Sequence, residues 1–458
     1  MFNMLSIGKK AVMANEKQLE TTGHNIANAN TPGYSRQRVI QEASLPISMP
    51  QYNYGTGVDL VRIERMRDLQ LDVDFRRHNG NAGYWESMAR HLTELEKNVL
   101  ETTEFGIHMR INNFFNSWES LSNNPFSNIH KMEVVNATNQ MTEGFKDLYR
   151  SIEEKKKDAT RALQTSADRI NQIAQEMEKL MTHISLEEMN NRPVNDLLDK
   201  FDLLVDELSA YGNIQIHKRE NGTMSVYLGT DELVRNGHAN TLNLIEKQNM
   251  STGETTLVLA WNNIDNPIGG LITGSLKALD DLRSNILPEY QQKLDDLVVQ
   301  ISQHVNAVHM QGINGYGSGG IALFNPDVTG VMNFQLSNEV SSDFNFIATS
   351  LTGATGDNQI ALMMTDLRLE KIFDGQTLTE SFADIIYTVG QDVKFSINSA
   401  DRTSLVAKQT DNFRESVKGV SINEETTNLL KFQQAYQAAA KIISVADEMI
   451  KTIIGLVR

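Results

Sequence analysis

Cysteine is absent from the 458 residues, which excludes disulfide staples, thiolate nucleophiles and cysteine-ligated metals. No apolar stretch approaches the length of a membrane span. The N-terminus also lacks the apolar core of a secretory signal, because Lys9 and Lys10 interrupt MFNMLSIG. Taken alone, these two absences read as cytoplasmic. Excess basic charge is missing too. With 58 acidic against 42 basic residues the net charge is -16, so a phosphate-binding role is not expected. Lys9, Lys10, Lys17, Arg36 and Arg38 do outnumber Glu16 and Glu20 in the first 40 residues. No basic stripe with interleaved aromatics accompanies them, so they read as a helix surface facing acidic neighbours rather than as a nucleic-acid site.

Catalytic and ligand-binding patterns are missing as well. The ten His do not cluster; His304 and His309 stand five apart, a poor spacing for one metal on a helix face, and no H-E-x-x-H occurs. GYGSGG at 315–320 lacks the Lys-Ser/Thr of a phosphate loop, and no G-x-S-x-G elbow is present. The pairs Glu187-Glu188, Asp280-Asp281 and Asp295-Asp296 are adjacent, so on a helix they diverge instead of sharing a site. No cofactor, metal or catalytic residue is therefore expected. At 40% hydrophobic the chain can bury sizeable cores, and its length suggests about three domains.

What is present is concentrated at the two ends. In 426–457 the residues Leu429, Phe432, Tyr436, Ala439, Ile443, Ala446, Ile450, Ile453 and Val457 alternate in steps of three and four, the a/d pattern of a coiled coil. Such a helix is about 46 Å long and needs a partner for its apolar stripe. The N-terminal segment offers one: Leu5, Val12, Leu19 and Ile26 fall seven apart, with Gly8, Asn15 and Thr22 in the other core position. That second row is small and polar, so both ends are expected to be mobile in the free monomer and to order on assembly. The first helix has a legible stop. Asn25, Asn28 and Asn30 weaken it through side-chain bonding to local backbone. Thr31-Pro32-Gly33 then places Pro and Gly at the centre of a type II turn before Tyr34.

At this point the residues resemble a family. NIANANTPGY at 25–34 resembles the N-terminal motif of bacterial flagellar axial proteins. The following Ser35-Arg36-Gln37, with Gly419-Val420-Ser421, Glu424, Asn428-Leu429-Leu430 and Phe432 onward to Tyr436, is similar to the hook-associated protein 1 family of the hook–filament junction. The likeness reaches the interior through NDLLD at 195–199, VDELS at 205–209, Gly269-Gly270, ILPEYQ at 286–291, and Val305-Asn306 through Gln311-Gly312. His24 stands where that family more often has Asn, and Phe201 where it commonly has Arg; neither change removes a helix or a turn.

Between the ends, texture alternates. The segment 34–63, with Pro46, Pro50, Gly55 and Gly57, reads as extended. Helical seams return at Trp85, Met88, Leu92, Leu95 and Val99, at Ile107, Ile111, Phe114, Trp118 and Leu121, and at Leu163, Ala167, Ile170, Ala174, Met177, Met181 and Ile184. Residues 271–309 and 362–416 resume the period, giving a bundle with Trp85 and Trp118 in its core. Ile214 and Ile216, then Met224, Val226 and Leu228, flank Glu220-Asn221-Gly222-Thr223, a strong type I′ hairpin signal. That role also accounts for the Asn221-Gly222-Thr223 sequon. A second hairpin, Leu242 and Leu244 against 257–261, surrounds a loop centred on Gly253, and 312–320 with 324–346 reads as loop and irregular strand on the same outward side.

The expected architecture is mainly α with an inserted β domain. Residues 1–45 and 419–458 form a terminal coiled coil, and 46–210, 267–310 and 356–418 a helical bundle. Residues 211–266, with the irregular segment 311–355, form an outer β domain. The resemblance implies a structural protein of the bacterial flagellum, assembling as a ring at the distal end of the hook and joining hook to filament. The alternatives are another flagellar axial subunit, of the hook or distal rod, and, from another class, a secreted enzyme. It implies as partners further copies on a helical lattice, hook protein below, a second junction protein above and an export chaperone, with no nucleic acid and no membrane insertion. It also implies an extracellular place in the flagellum, reached through the flagellar export apparatus without a cleaved signal. The residues expected at the assembly interface are Leu5, Val12, Leu19, Ile26, Leu429, Phe432, Tyr436, Ile443, Ile450 and Ile453 on the helices, and Asn28, Thr31, Pro32, Gly33 and Tyr34 at the turn.

Overall fold

The computed structural model describes residues 2–49, 52–99, 106–218, 224–235, 237–248, 255–262, 267–354, 356–373 and 375–456. The chain opens with helix α1 (Phe2–Ala27), followed by strands β1 (Gln37–Ala43), β2 (Ile47–Met49), β3 (Tyr52–Tyr54) and β4 (Val58–Arg65). Helices α2 (Leu69–Val99), α3 (Ile107–Asn123), α4 (Asn128–Met189) and α5 (Asn195–Ser209) come next. Strands β5 (Ile214–Lys218), β6 (Met224–Leu228), β7 (Asp231–Arg235), β8 (His238–Ala239), β9 (Leu242–Gln248) and β10 (Thr255–Trp261) follow. The remainder comprises α6 (Ser275–Asp281), α7 (Leu287–His309), β11 (Ile313–Asn314), α8 (Asn338–Ser342), β12 (Ala348–Ser350), α9 (Gln359–Asp366), α10 (Leu378–Lys418) and α11 (Ile422–Leu456). The fold is mainly α with a few small antiparallel sheets.

Two compact units divide the chain: Met1–Ala82, Ala167–Gly274 and Thr403–Arg458 form the first, and Gly83–Ser166 with Ser275–Arg402 the second. In the first unit α1 packs on α11 and on the β1/β4 pair. This pair is antiparallel, with a register shift between Ile40 and Gln41. The seven-residue seam read along α4 is buried throughout, from Leu163 to Ile184, as a 3.6-residue period requires of one helix face. Both expected hairpins form: β5 pairs β6 from Ile214↔Leu228 to Lys218↔Met224, and β9 pairs β10 from Leu242↔Trp261 to Gln248↔Thr255. Their expected turn residues, 220–223 and Gly253, lie outside the described residues, as do Pro50, Val457 and the side chain of Val99. Strands β7 and β8 were not expected. They extend β5–β6 into a four-stranded sheet, and Trp261 Nε1 donates to Asp231 at 3.1 Å, tying β10 to β7.

The second unit holds one continuous apolar core, built on Met88, Leu92 and Leu95 of α2, Ile111, Phe114, Phe115 and Trp118 of α3, and Leu294, Val298 and Ile301 of α7. Trp118 is fully buried and Trp85 packs half-buried against the core. Phe324, Phe334, Leu336, Val340 and Ile347 belong to this same core: the irregular segment carries more apolar surface than loops leave in water. The helical period expected over 362–416 is broken between α9 and α10. Thr377 starts α10 with a reciprocal cap, Glu380 N donating to its Oγ1 at 3.3 Å and Thr377 N to Glu380 Oε2 at 2.9 Å. A single π turn, Leu282–Ile286, joins α6 to α7.

His309 closes this core. Its Nδ1 donates to the Ile321 carbonyl at 2.7 Å and its Nε2 accepts from Ala348 N at 3.0 Å, which fixes a neutral ring. Complete burial pulls its pKa down to about 4, against a small lift from the Ile321 carbonyl. The neutral ring is the native one, so this stability is complete above pH 6.5, where both states are neutral. It falls as pH drops toward 4, where the unfolded chain takes a proton that the folded one refuses. The expected loss over that window is about 3 kcal/mol. Chemical denaturation of wild type and His309→Gln between pH 7 and 4 tests this: the variant starts less stable but lacks that part of the slope, and parallel slopes would contradict the assignment.

Candidate functional site

The two terminal helices run antiparallel. A Cβ on Gly8 would lie 2.8 Å from Ile443 Cγ1, and at the other end Asn25 Nδ2 donates to Glu425 Oε2 at 3.0 Å. Helix α11 starts at Ile422, seven residues before the first seam residue, Leu429. The fully buried positions of the pair are small or polar: Gly8, Ala14, Thr21, Thr22 and Asn25 on α1, and Glu425, Ala439 and Ala446 on α11. Leu5, Val12, Leu19, Ile26, Leu429, Phe432, Ile443 and Ile450 are only half-buried, and Tyr436 and Ile453 are exposed at 36% and 43%. Close approach at Gly8, where an added Cβ would lie 3.5 Å from Ile443 N, brings the helix backbones together, and the large apolar side chains keep part of their surface uncovered. Ile454 at 58% and Met449 at 46% add to the exposed apolar surface of α11.

The turn takes its expected form. Asn28 Nδ2 donates to the His24 carbonyl at 3.1 Å, and Thr31 N to the Asn28 carbonyl at 2.9 Å. Tyr34 N donates to the Thr31 carbonyl at 3.2 Å, with Gly33 at φ +78°; this is the positive φ that position i+2 of a type II turn demands. A Cβ on Gly33 would also come within 3.3 Å of Leu203. Thr31 and Pro32 are exposed; Asn28, Gly33 and Tyr34 are half-buried.

Residues 34–37 then bind three parts of the unit at once. Asn25 Oδ1 accepts from Tyr34 Oη at 2.8 Å and from Gln37 N at 2.9 Å, while its Nδ2 donates to the Gln37 carbonyl at 2.9 Å. Ser35 donates to Asp199 twice, from N at 2.9 Å and from Oγ at 2.7 Å. Arg36 grips the first turn of α11, with Nε 2.8 Å and Nη2 2.6 Å from Glu425 and Nη1 3.0 Å from Glu424. Its own N–H donates to the Lys418 carbonyl at 2.8 Å. Gln37 Nε2 donates to Asp196 at 2.7 Å, and Asn195 Nδ2 to Gln37 Oε1 at 3.2 Å. Burial first, then Asp196, Asp199 and Glu425, push the Tyr34 phenol far above its usual value, so it stays a donor. A cavity of about 310 Å³ beside this clasp is lined by Gln18, Thr21, Thr22, Arg36, Arg38 and Asn428 among others.

Asn25, Ser35, Arg36, Gln37, Asp196, Asp199 and Glu425 were not among the residues expected to act. Part of their signal was in view, since Ser35-Arg36-Gln37 and the 195–199 stretch stand among the strings that carry the resemblance; of the acidic start of α11 only Glu424 does, and Glu425 was missed. The arrangement is mechanical rather than chemical. Every carboxylate here is matched to a donor, and among the described residues no group of His, Asp or Glu could hold a metal ion. Among them, too, no helix is long and apolar enough to cross a membrane.

Residues 92–324 match the model of the flagellar hook-associated protein FlgK helical domain. Residues 5–34 match the flagella basal body rod protein model, and 416–456 the C-terminal model of flagellar basal body rod FlgEFG proteins. The chain is 28% identical to flagellar hook-associated protein 1 of Bacillus subtilis, over 99% of this chain and 98% of that one. It is 20% identical to the protein of the same name in Escherichia coli, over the full length of both. A solved structure, the flagellar hook junction protein FlgK from Burkholderia pseudomallei, superposes with a TM-score of 0.66 at 14% identity, covering 76% of this chain and all of that one.

Asn25 is 1% exposed, and its four bonds make it the test of the clasp. Asn25→Asp keeps the shape and the acceptor but turns a donor toward Glu425 into a like charge, at an expected cost of at least about 3 kcal/mol. Urea unfolding of this variant, with hydrogen exchange read at Gln37, checks it. Wild-type stability and protection would show that the buried amide is dispensable.

Proposed function

Because the chain belongs to the flagellar hook-associated protein FlgK family, we propose that its terminal helices and the turn at 28–34 are the segment that adds to the distal end of the hook. The protein is a structural component of the bacterial flagellum, not an enzyme, and serves at the hook–filament junction. It self-associates and associates with hook components. In our reading a ring of copies continues the hook's helical lattice, so that the same surfaces are buried repeatedly. The ring then receives a second junction protein before filament growth. An export chaperone holds the chain beforehand, and it travels through the flagellar export apparatus.

One observation carries the assembly role: the large apolar residues of the terminal pair, among them Tyr436, Ile443, Ile450 and Ile453, are half-buried or exposed although the helices are packed. Leu5, Val12, Leu19, Ile26, Leu429 and Phe432 share that condition, and a lattice of neighbours is the natural place for their remaining surface. A hook or distal rod subunit is the competing reading, because the two ends match rod-type models. The helical domain over 92–324 is what favours the junction.

Electron microscopy of hooks from cells lacking this protein, incubated with the purified chain, tests the proposal. The full chain will add a compact ring at the distal end, and Ile443→Asp will fail to add while its β5–β10 segment keeps wild-type amide protection. Indefinite hook extension would make the protein a hook-type subunit, and normal addition by Ile443→Asp would remove the seam from the mechanism.

A further inference from the structure

Beneath the clasp, helix α5 presents Asp199, Asp202 and Asp206, spaced three and four apart on one face. Asp199 holds the N-terminal strap through Ser35. Asp206 holds α10 through Arg414 Nη2 at 2.6 Å. Between them Asp202 meets Arg65 at 2.7 Å, Arg67 at 2.6 Å and Arg76 at 3.0 Å. Burial acts to lift the Asp202 carboxyl, but Arg67, Arg65 and Arg76 outweigh it and hold the group below the usual carboxylate range. One helix face therefore carries both halves of the terminal assembly segment.

Arg414 is the attachment on the C-terminal side. It is 3% exposed, lies 4.1 Å over the Phe75 ring, and places Nε 3.0 Å from Asp72. Its stabilisation as a buried cation is incomplete: Nε beside Asp72 and Nη1, 3.7 Å from Asp411, make ion pairs without hydrogen-bond alignment, and an apolar side chain would avoid that desolvation. The two acids it meets outside its own helix do not depend on it: Asp72 also pairs with Arg67 at 2.8 Å and Asp206 with Arg76 at 2.7 Å. What Arg414 does fix is position. One turn later the Lys418 carbonyl accepts from Arg36 N, and Glu425 follows at the start of α11.

We propose that Arg414 is a positioning residue for assembly: by pinning α10 to the acidic face of α5 it sets the register at which α11 meets the 34–37 strap, and so aligns the two terminal helices for a neighbouring copy. This rests on the reading of those helices as the assembly segment. Removing the arginine leaves the unit folded and its terminal helices out of register.

The test uses the full chain as wild type, Arg414→Met and Arg414→Lys, with three readouts: thermal midpoint, amide exchange at Arg36, Gln37 and Glu425 in the free protein, and ring addition to hooks. Arg414→Met is expected to melt within about 3 °C of wild type, to lose about tenfold or more protection at those three amides, and to lose ring addition; Arg414→Lys, holding a single acid, is expected to fall between. Wild-type protection and ring addition in Arg414→Met would overturn the proposal. If that variant does not fold, wild-type exchange at the clasp in Arg414→Lys would equally overturn it, leaving only charge balance. Failure of the wild-type chain to add to hooks would sink the assembly reading alone, since the exchange measurement stands without hooks.

Discussion

A carboxylate taken out of water must be met by donors, and Glu425, at 2% exposure, is met by the Arg36 guanidinium and the Asn25 amide. The rest of the terminal unit is arranged around that requirement. Arg36 can reach Glu425 only if the chain turns sharply after α1, which the Pro32-Gly33 turn provides. Asn25 can serve Glu425 and the Gln37 backbone together only if α1 and α11 lie close, which Gly8, Ala439 and Ala446 permit. Glu424 and Glu425 also stand in the first turn of α11, where the helix dipole favours negative charge.

Such a joint is specific rather than strong. Buried ion pairs gain little over apolar packing of the same volume, yet losing one partner costs about 3–5 kcal/mol. The terminal pair accordingly tolerates little change of register while leaving its large apolar residues short of full burial. The second unit is held otherwise, by a core rich in aromatics such as Phe114, Trp118, Phe145, Phe324 and Phe334. The two units are thus held by different means, a polar joint in one and an aromatic core in the other.

Much of this was legible in the sequence, and the limits have physical causes. The α4 seam, the type II turn and the hairpins β5–β6 and β9–β10 announce themselves because period and turn chemistry are local. Strand β7, Asp-Glu-Leu-Val-Arg, was hidden by its charged ends. The break before α10 had a signal, the Thr377 to Glu380 capping box, outweighed by the apolar period on either side. The clasp could not be read locally: Ser35 and Asp199 are 164 residues apart, Asn25 and Glu425 400. Large apolar residues at a/d spacing suggested a seam through Leu5, Val12, Leu19 and Ile26, whereas close helix approach is governed by the smallest side chains. The π turn at Leu282–Ile286 has no sequence signal that we can identify.

The measurement closest to the centre of this account is the coupling free energy between Arg36 and Glu425, taken from Arg36→Ala, Glu425→Ala and the double variant by equilibrium unfolding. If the polar clasp holds the terminal helices, the coupling will be about 1.5–3 kcal/mol. A coupling within about 0.3 kcal/mol of zero would mean that the apolar seam holds the helices and that the clasp merely accompanies it.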